Sequence, residues 1–170
     1  MTTTVLMPAV AETLAAHGIR YDVLECREDL ADTAQFCEHY GFTLDESANT
    51  IVVASRKIEP PVHAVCVVLG TTRLDVNGTV RRLMGVKRAS FADAGATASL
   101  TGMEIGGVTA PGIGGLPVYV DRAVVEATRV VMGGGNRTSK IVLDPAELTK
   151  LPAVEVIDGL AKAVAAPTGE

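Results

Sequence analysis

The 170-residue chain contains no tryptophan and only three phenylalanines and three tyrosines. Its core must therefore be built from Val, Leu, Ile and Ala. A surface that grips single-stranded RNA by stacking many bases is excluded. Positive charge is also in deficit: 15 Lys and Arg stand against 20 Asp and Glu, a net charge of −5. Proteins hold long nucleic acid by neutralising phosphates, so bulk electrostatics cannot serve that purpose; a local basic patch can still take a short end. The three cysteines, Cys26, Cys37 and Cys66, form no CxxC and cannot all pair within the chain, which points to a reducing cytoplasm. His17, His39 and His63 lie far apart without metal spacing, and there is no zinc motif and no Gly-x-Ser-x-Gly elbow. Neither a metal nor a cofactor is expected. The opening "MTTTVLMPAV" has no basic stretch followed by a long apolar core, so no signal peptide is expected. The apolar runs are too short to span a membrane.

What is present is ordinary globular composition, 48% apolar and 21% charged. The length predicts one domain over residues 1–165, with 166–170 as a frayed tail. Leu6, Val10 and Leu14, four apart, predict an amphipathic helix over about 5–17, stopped by Gly18. "IRYDV" alternates and predicts a strand. A second helix is expected from Asp32 or Thr33 to Tyr40, closed by Gly41. "TIVVAS" and "HAVCVVLG", separated by "RKIEPP", predict a buried hairpin. Asp75 is expected to cap a helix ending at Gly85, which Gly78 weakens. Ser90 and Asp93 have the spacing of a capping box. "PVYVD", "TRVVMGGG" and "KIVLD" predict strands, and "RAVVEA" a turn or short helix. In "DPAEL", Asp144 caps a helix, Pro145 takes its first position and Glu147 reaches back. Asp121 is likewise read as a cap. The order lacks regular βαβ repetition, so one α+β domain on a mixed sheet is expected.

Two glycine-rich segments stand out. Residues 102–115 hold six glycines, which allow positive φ and close approach to a ligand. Such a loop either connects flexibly or turns its N–H groups toward an oxyanion or carbonyl. "GGGNRTSK", residues 133–140, is either a tight turn or a site of backbone plus cation, with Arg137 and Lys140 beside the glycines. Each lone cation reads first as solvated charge, as do the pairs Arg56-Lys57, Arg81-Arg82 and Lys87-Arg88, taken as solvated helix faces. His63 falls on a strand and reads as structural. From the residues alone, the chain is an α+β domain whose glycine loops can clasp a small polar or carbonyl-bearing ligand.

The order of the segments carries more. "LAAHGIRYDVLE", "ADTAQFCEHYG", "SANTIVVAS", "VVLGTTRLDVNGTVRRLMG", "LTGMEIGGVTAPG", "LPVYVD" and "VVMGGGNRTSKIVLDPAEL" together resemble the YbaK/EbsC family, which includes the editing domain inserted in bacterial prolyl-tRNA synthetases. The resemblance covers roughly residues 10–151 and is most specific in "TGMEIGGVTAPGIGGLPVYVD". It implies a mixed, curved, barrel-like sheet surrounded by helices. It implies hydrolysis in trans of the ester joining a wrong small amino acid (Ala, Cys, Ser or Thr) to a tRNA. The partner would be an aminoacyl-tRNA 3′ end, with a synthetase as a further partner and no membrane. Asn49, Gly106 and Gly107 would then be catalytic. Thr50, Val108, Thr109, Gly134, Gly135 and Asn136 would bind substrate. Chemistry in the family relies little on acid–base side chains, and the substrate's own groups assist.

Two departures matter. Many members carry Lys-Thr where this chain has Asn49-Thr50, and Asn offers an amide but no charge. The family loop commonly reads Gly-Gly-x-Ser/Thr-Pro, whereas "GGVTAPG" has Ala110 at the proline position. The missing lysine motivates an alternative: a catalytically inactive module that binds a tRNA 3′ end, a small ligand or a synthetase.

Overall fold

The computed structural model describes residues 6–31 and 33–163. Helix α1 (Pro8–Ala16) buries Val10 and Leu14. It is shorter than the periodicity predicts because Pro8 sets its first turn, where a missing N–H costs nothing. The earlier start at residue 5 lies outside the described residues. Strand β1 (Asp22–Glu25) begins three residues later than "IRYDV" suggests. Helix α2 (Thr33–Tyr40) ends at Gly41 with φ +80°, as expected; Asp32, the other expected start, lies outside the described residues. Phe36 on α2 is fully buried and stacks on Tyr40 and Phe42 at 4.7 and 5.7 Å.

The predicted hairpin is β2 (Ala48–Ser55) and β3 (His63–Leu69), antiparallel from Ala48 opposite Leu69 to Ala54 opposite His63. Strand β3 reads as one apolar run because both its faces are covered. Val65, Val67 and Leu69 enter one core, with α1; Ala64, Cys66 and Val68 enter a second, on the other face. That separation follows from the two-residue period of a strand. The remaining strands are β4 (Thr72–Leu74), β5 (Ala89–Phe91), β6 (Val118–Asp121), β7 (Val130–Gly133), β8 (Ser139–Leu143), β9 (Val154–Ile157) and β10 (Ala161–Ala163). One sheet runs β5-β2-β3-β6-β9, with β3–β6 and β6–β9 parallel and the rest antiparallel; a second runs β1-β8-β7; β4 pairs with β10. The mixed sheet with packed helices is the predicted α+β class. Strands β4, β5, β9 and β10 escaped the sequence reading because each is three or four residues long and partly exposed.

Three local readings need correction. The helix expected from Asp75 to Gly85 is a π-turn (Val76–Val80) followed by the short helix α3 (Arg81–Met84). Asp75 caps it as predicted, accepting from the Thr79 N–H and hydroxyl at 3.0 and 2.9 Å. Gly78 is no weak point there: a Cβ would lie 2.5 Å from Asp75 Oδ2, so the cap requires glycine. Asp75→Ala should cost about 1 kcal/mol, near 2–4 °C in thermal midpoint by scanning calorimetry. Ser90 and Asp93 form no capping box, because Ser90 sits in β5 and Asp93 is itself the N-cap of α4 (Ala94–Thr101), accepting from Ala96 N–H at 2.7 Å. Asp144 caps a 3-10 helix (Pro145–Lys150), yet Glu147 does not reach back. It accepts instead from the Arg20 N–H at 2.8 Å and from Lys150 at 2.9 Å. The segment "RAVVEA" contains the short helix α5 (Arg122–Val125).

A single parallel bridge, Ser47 with Val131, joins the two larger sheets. Beside it Arg129 Nε donates to Glu46 at 2.8 Å and lies over the Phe42 ring at 4.6 Å. The Arg129 guanidinium and the Thr43 N–H hold the Glu46 carboxyl down at about 2. A depressed carboxylate stabilises the fold above its unfolded value and loses that contribution as pH falls through the folded one. Melting temperature should therefore drop between about pH 4.5 and pH 2, and Arg129→Ala should flatten that part of the profile.

Candidate functional site

Strand β5 pairs with β2 only at Val53, Ala54 and Ser55. The first half of β2 therefore keeps an open edge. The Ser47–Val131 bridge pins one end of this edge to β7, after which the two strands diverge. The gap is a cleft of about 400 Å³, at the small end of ligand sites, which run to roughly 300–1,000 Å³. One wall is β2 from Ala48 to Val52, the facing wall is β7 with Lys140 of β8, and the glycine loop closes the side at Ile105, Gly106 and Val108.

The sequence-predicted residues divide at this cleft. Asn49, Thr50, Gly106 and Val108 line it together. Asn49 and Thr50 come from the open strand edge, and Gly106 takes φ +95° to turn the loop past it. The Thr50 hydroxyl is buried and has no hydrogen-bond partner among the described residues. A buried hydroxyl left unmatched costs about 1–3 kcal/mol, so a bound polar group would be welcome there.

Gly107, Thr109, Gly134, Gly135 and Asn136 do not line the cleft. The Gly107 N–H is spent on Glu104 O at 2.9 Å, and its carbonyl accepts from Gly135 N–H at 2.8 Å. A Cβ on Gly107 would overlap the Asn136 backbone. Gly134 O accepts from Met7 N–H at 3.0 Å, so this pair of glycines faces α1. Asn136 Oδ1 accepts from Ser139 Oγ at 2.7 Å and from Thr138 N–H at 3.2 Å, closing the β7–β8 turn. Thr109 is fully buried, with its N–H directed at Met103 Sδ at 3.4 Å. Ala110, at the family's proline position, packs in the core.

Lys140 is the functional candidate that sequence reasoning set aside as solvated charge. It is 8% exposed. Its Nζ donates to Ala31 O at 2.9 Å and to Gly106 O at 3.2 Å, and it lies 5.4 Å from the centre of the Phe36 ring. It thus ties the glycine loop to the chain just before α2. The signal available in sequence was its place in β8, between Ser139 and Ile141. Its partners, 34 and 109 residues away, carry no local pattern.

The described residues lining the cleft include no carboxylate, histidine or cysteine. The buried Cys66 thiol, pushed up to about 12 by burial, belongs to the second core. Asp121 is buried too, and loss of hydration raises its carboxyl. It stands on β6, away from the cleft lining. No group of acids, histidines and cysteines among the described residues could hold a metal ion. The cleft can orient a polar ligand and stabilise negative charge. Lys140 is the one ionisable side chain among the described residues that line it.

The strand-edge cleft, the glycine-loop wall and the buried cation thus meet at one place in an α+β fold. Residues 27–151 match the aminoacyl-tRNA editing domain family, and the chain belongs to it. The crystal structure of a hypothetical protein superposes with TM-score 0.80 at 23% identity, over 91% of this chain and 99% of that one. That of "a putative trans-editing enzyme for prolyl tRNA synthetase" superposes with TM-score 0.76 at 25% identity, over 94% of this chain and 99% of that one. Comparison with curated protein sequences gives no match. No helix among the described residues is long and apolar enough to cross a membrane.

Proposed function

We propose that the chain is a trans-acting aminoacyl-tRNA deacylase that removes a small amino acid, such as Ala, Cys, Ser or Thr, from a mischarged tRNA. The observation that carries this reading is the convergence of Asn49, Thr50, Gly106, Val108 and Lys140 on one small cleft in a chain of the editing family. Pockets discriminate weakly between small amino acids, by roughly 1–3 kcal/mol per methylene. A second site that destroys the errors is the chemical remedy.

In this reading the ester lies across the edge of β2. Water adds to the ester carbonyl carbon, the bond from that carbon to the ribose oxygen breaks, and the ribose oxygen takes the proton. The products are a free amino acid and a tRNA with its terminal hydroxyl restored. With no carboxylate or imidazole among the described residues of the cleft wall, the neighbouring ribose hydroxyl orients the water. Asn49 and the loop N–H groups of Gly106 and Val108 face the carbonyl oxygen as it gains charge, an arrangement that needs no reorganisation during reaction. Lys140 fixes Gly106 through its carbonyl and adds positive potential. The charge that many relatives present from the Asn49 position thus enters this cleft from β8. Phe36, Ile105 and Met132 bound the space for the amino-acid side chain.

The test is ester loss from tRNA carrying each small amino acid. Asn49→Ala should slow hydrolysis about 100-fold, the scale for loss of one oxyanion donor, while leaving the unfolding midpoint within a few degrees. If the variant matches the parent chain, Asn49 has no part in the chemistry.

A further inference from the structure

A second cleft, about 800 Å³, opens on the other side of Asn49. The two clefts share Asn49, Ile51 and Phe91, so they meet at the lip of the β2 edge. The second is lined by Arg56 just beyond β2, Arg73 from β4, Ser90 from β5 and the Asp75 turn. Both arginines are exposed. Arg56 Nη1 lies 3.5 Å from Ser90 Oγ, and its backbone N–H donates to Arg88 O at 2.9 Å. The basic pairs at 56–57 and 87–88, read from sequence as separate helix faces, therefore come together along the β2–β5 edge. The one carboxylate in the lining, Asp75, is engaged by Thr79 and has Lys162 at 3.9 Å, which offsets its charge. In a chain of net charge −5 this rim is locally basic.

Phe91 is the second clue. It is 60% exposed, more than any other large apolar side chain among the described residues. It stands at the junction of the two clefts in a chain with only three Phe, three Tyr and no Trp. An exposed aromatic lining the same cleft as two arginines is the pattern of a single-stranded nucleotide site, where a base stacks and phosphates meet cations.

We infer that the second cleft binds the last unpaired nucleotides of an RNA 3′ end, with Phe91 stacking one base and Arg56 and Arg73 taking the linking phosphates. The strand then crosses Asn49 and delivers its terminal ribose into the first cleft. This placement rests on the deacylase reading for its direction, and on Arg56, Arg73 and Phe91 for its chemistry.

Isothermal titration of the full chain with the trinucleotide CCA, with adenosine and with inorganic phosphate tests it without any hydrolysis. CCA should bind at least about tenfold more tightly than adenosine, and inorganic phosphate should compete only weakly. The double variant Arg56→Ala/Arg73→Ala should reduce the CCA preference about tenfold and lower the salt slope by about 0.7 for each phosphate no longer neutralised. Phe91→Ala should weaken CCA about tenfold and Phe91→Tyr should retain it. Equal losses for CCA and adenosine in the arginine variant, or CCA affinity unchanged in it, would overturn the subsite. So would inorganic phosphate competing as well as CCA, which would mark a general anion site. Arginine-dependent CCA binding without ester loss leaves the subsite standing and removes the deacylase. Ester loss with arginine-independent CCA binding does the reverse.

Discussion

Gly107→Ala should lose about 3 kcal/mol of stability and nearly all activity, although Gly107 does not line the cleft. Its Cβ would occupy the space of the Asn136 backbone, with the Asn136 C and N atoms at 2.5 and 2.6 Å. A Cβ on Gly133 would likewise lie 2.5 Å from Gly107 O. The two glycine segments are packed backbone to backbone, and neither neighbour is a flexible side chain that can swing away. Overpacking of this kind costs about 1–3 kcal/mol even where side chains give. Relief requires the loop to lift, which moves Gly106 and Val108 out of the cleft wall. Gly114 supplies the control. A Cβ there meets nothing within 4 Å, so Gly114→Ala should stay within about 0.5 kcal/mol. Urea unfolding and single-turnover deacylation on the same preparations read both quantities. A Gly107→Ala protein with normal stability would show that the segments can separate without consequence.

Lys140→Met should separate activity from stability. Losing charged hydrogen bonds to Ala31 O and Gly106 O costs about 1.5–3 kcal/mol each in typical cases. Removing a buried ammonium relieves a desolvation penalty of several kcal/mol. The terms oppose, and a net loss of only about 1–2 kcal/mol is expected. Activity has no such offset, because the Gly106 carbonyl loses its tether and the cleft loses its cation. Deacylation should fall at least about 100-fold. Lys140→Arg should not restore it, since a planar guanidinium cannot replace a compact ammonium between two carbonyls in a site this enclosed. Parent-like rates for Lys140→Met would return the residue to a purely structural role.

These two residues also show how far the sequence could be read. The β2–β3 hairpin was legible because both strands are long and apolar, and the Asp144-Pro145 start because capping chemistry is local. The Asn49-Thr50 pair reads in sequence as a polar entrance to an apolar strand, and the fold sets it in the first half of β2, on the same cleft as Gly106 and Val108. What stayed hidden depends on neighbours distant along the chain. Three glycines at 133–135 exceed the needs of a turn, yet the reason lies elsewhere: Gly133 meets the loop at 107, Gly134 meets Leu6 and Ser139, and Gly135 meets Met7. The excess read as a ligand site, whereas the three glycines serve close packing, and of them Gly133 alone also lines the cleft. Lys140 read as solvent-facing because nothing within its own segment reveals that Ala31 and Gly106 converge on it. The short strands β9 and β10 were missed because their few residues have too little apolar alternation to register.

We propose that this cleft hydrolyses an aminoacyl ester although Asn49 stands where many members of the family carry lysine. The direct measurement is single-turnover ester loss from a panel of tRNAs charged with Ala, Cys, Ser, Thr and Pro, with the parent chain in excess. The predicted result is rapid loss of at least one of the Ala, Cys, Ser or Thr esters, suppressed about 100-fold by Asn49→Ala. Intact esters across the whole panel would contradict it and leave a binding module in its place.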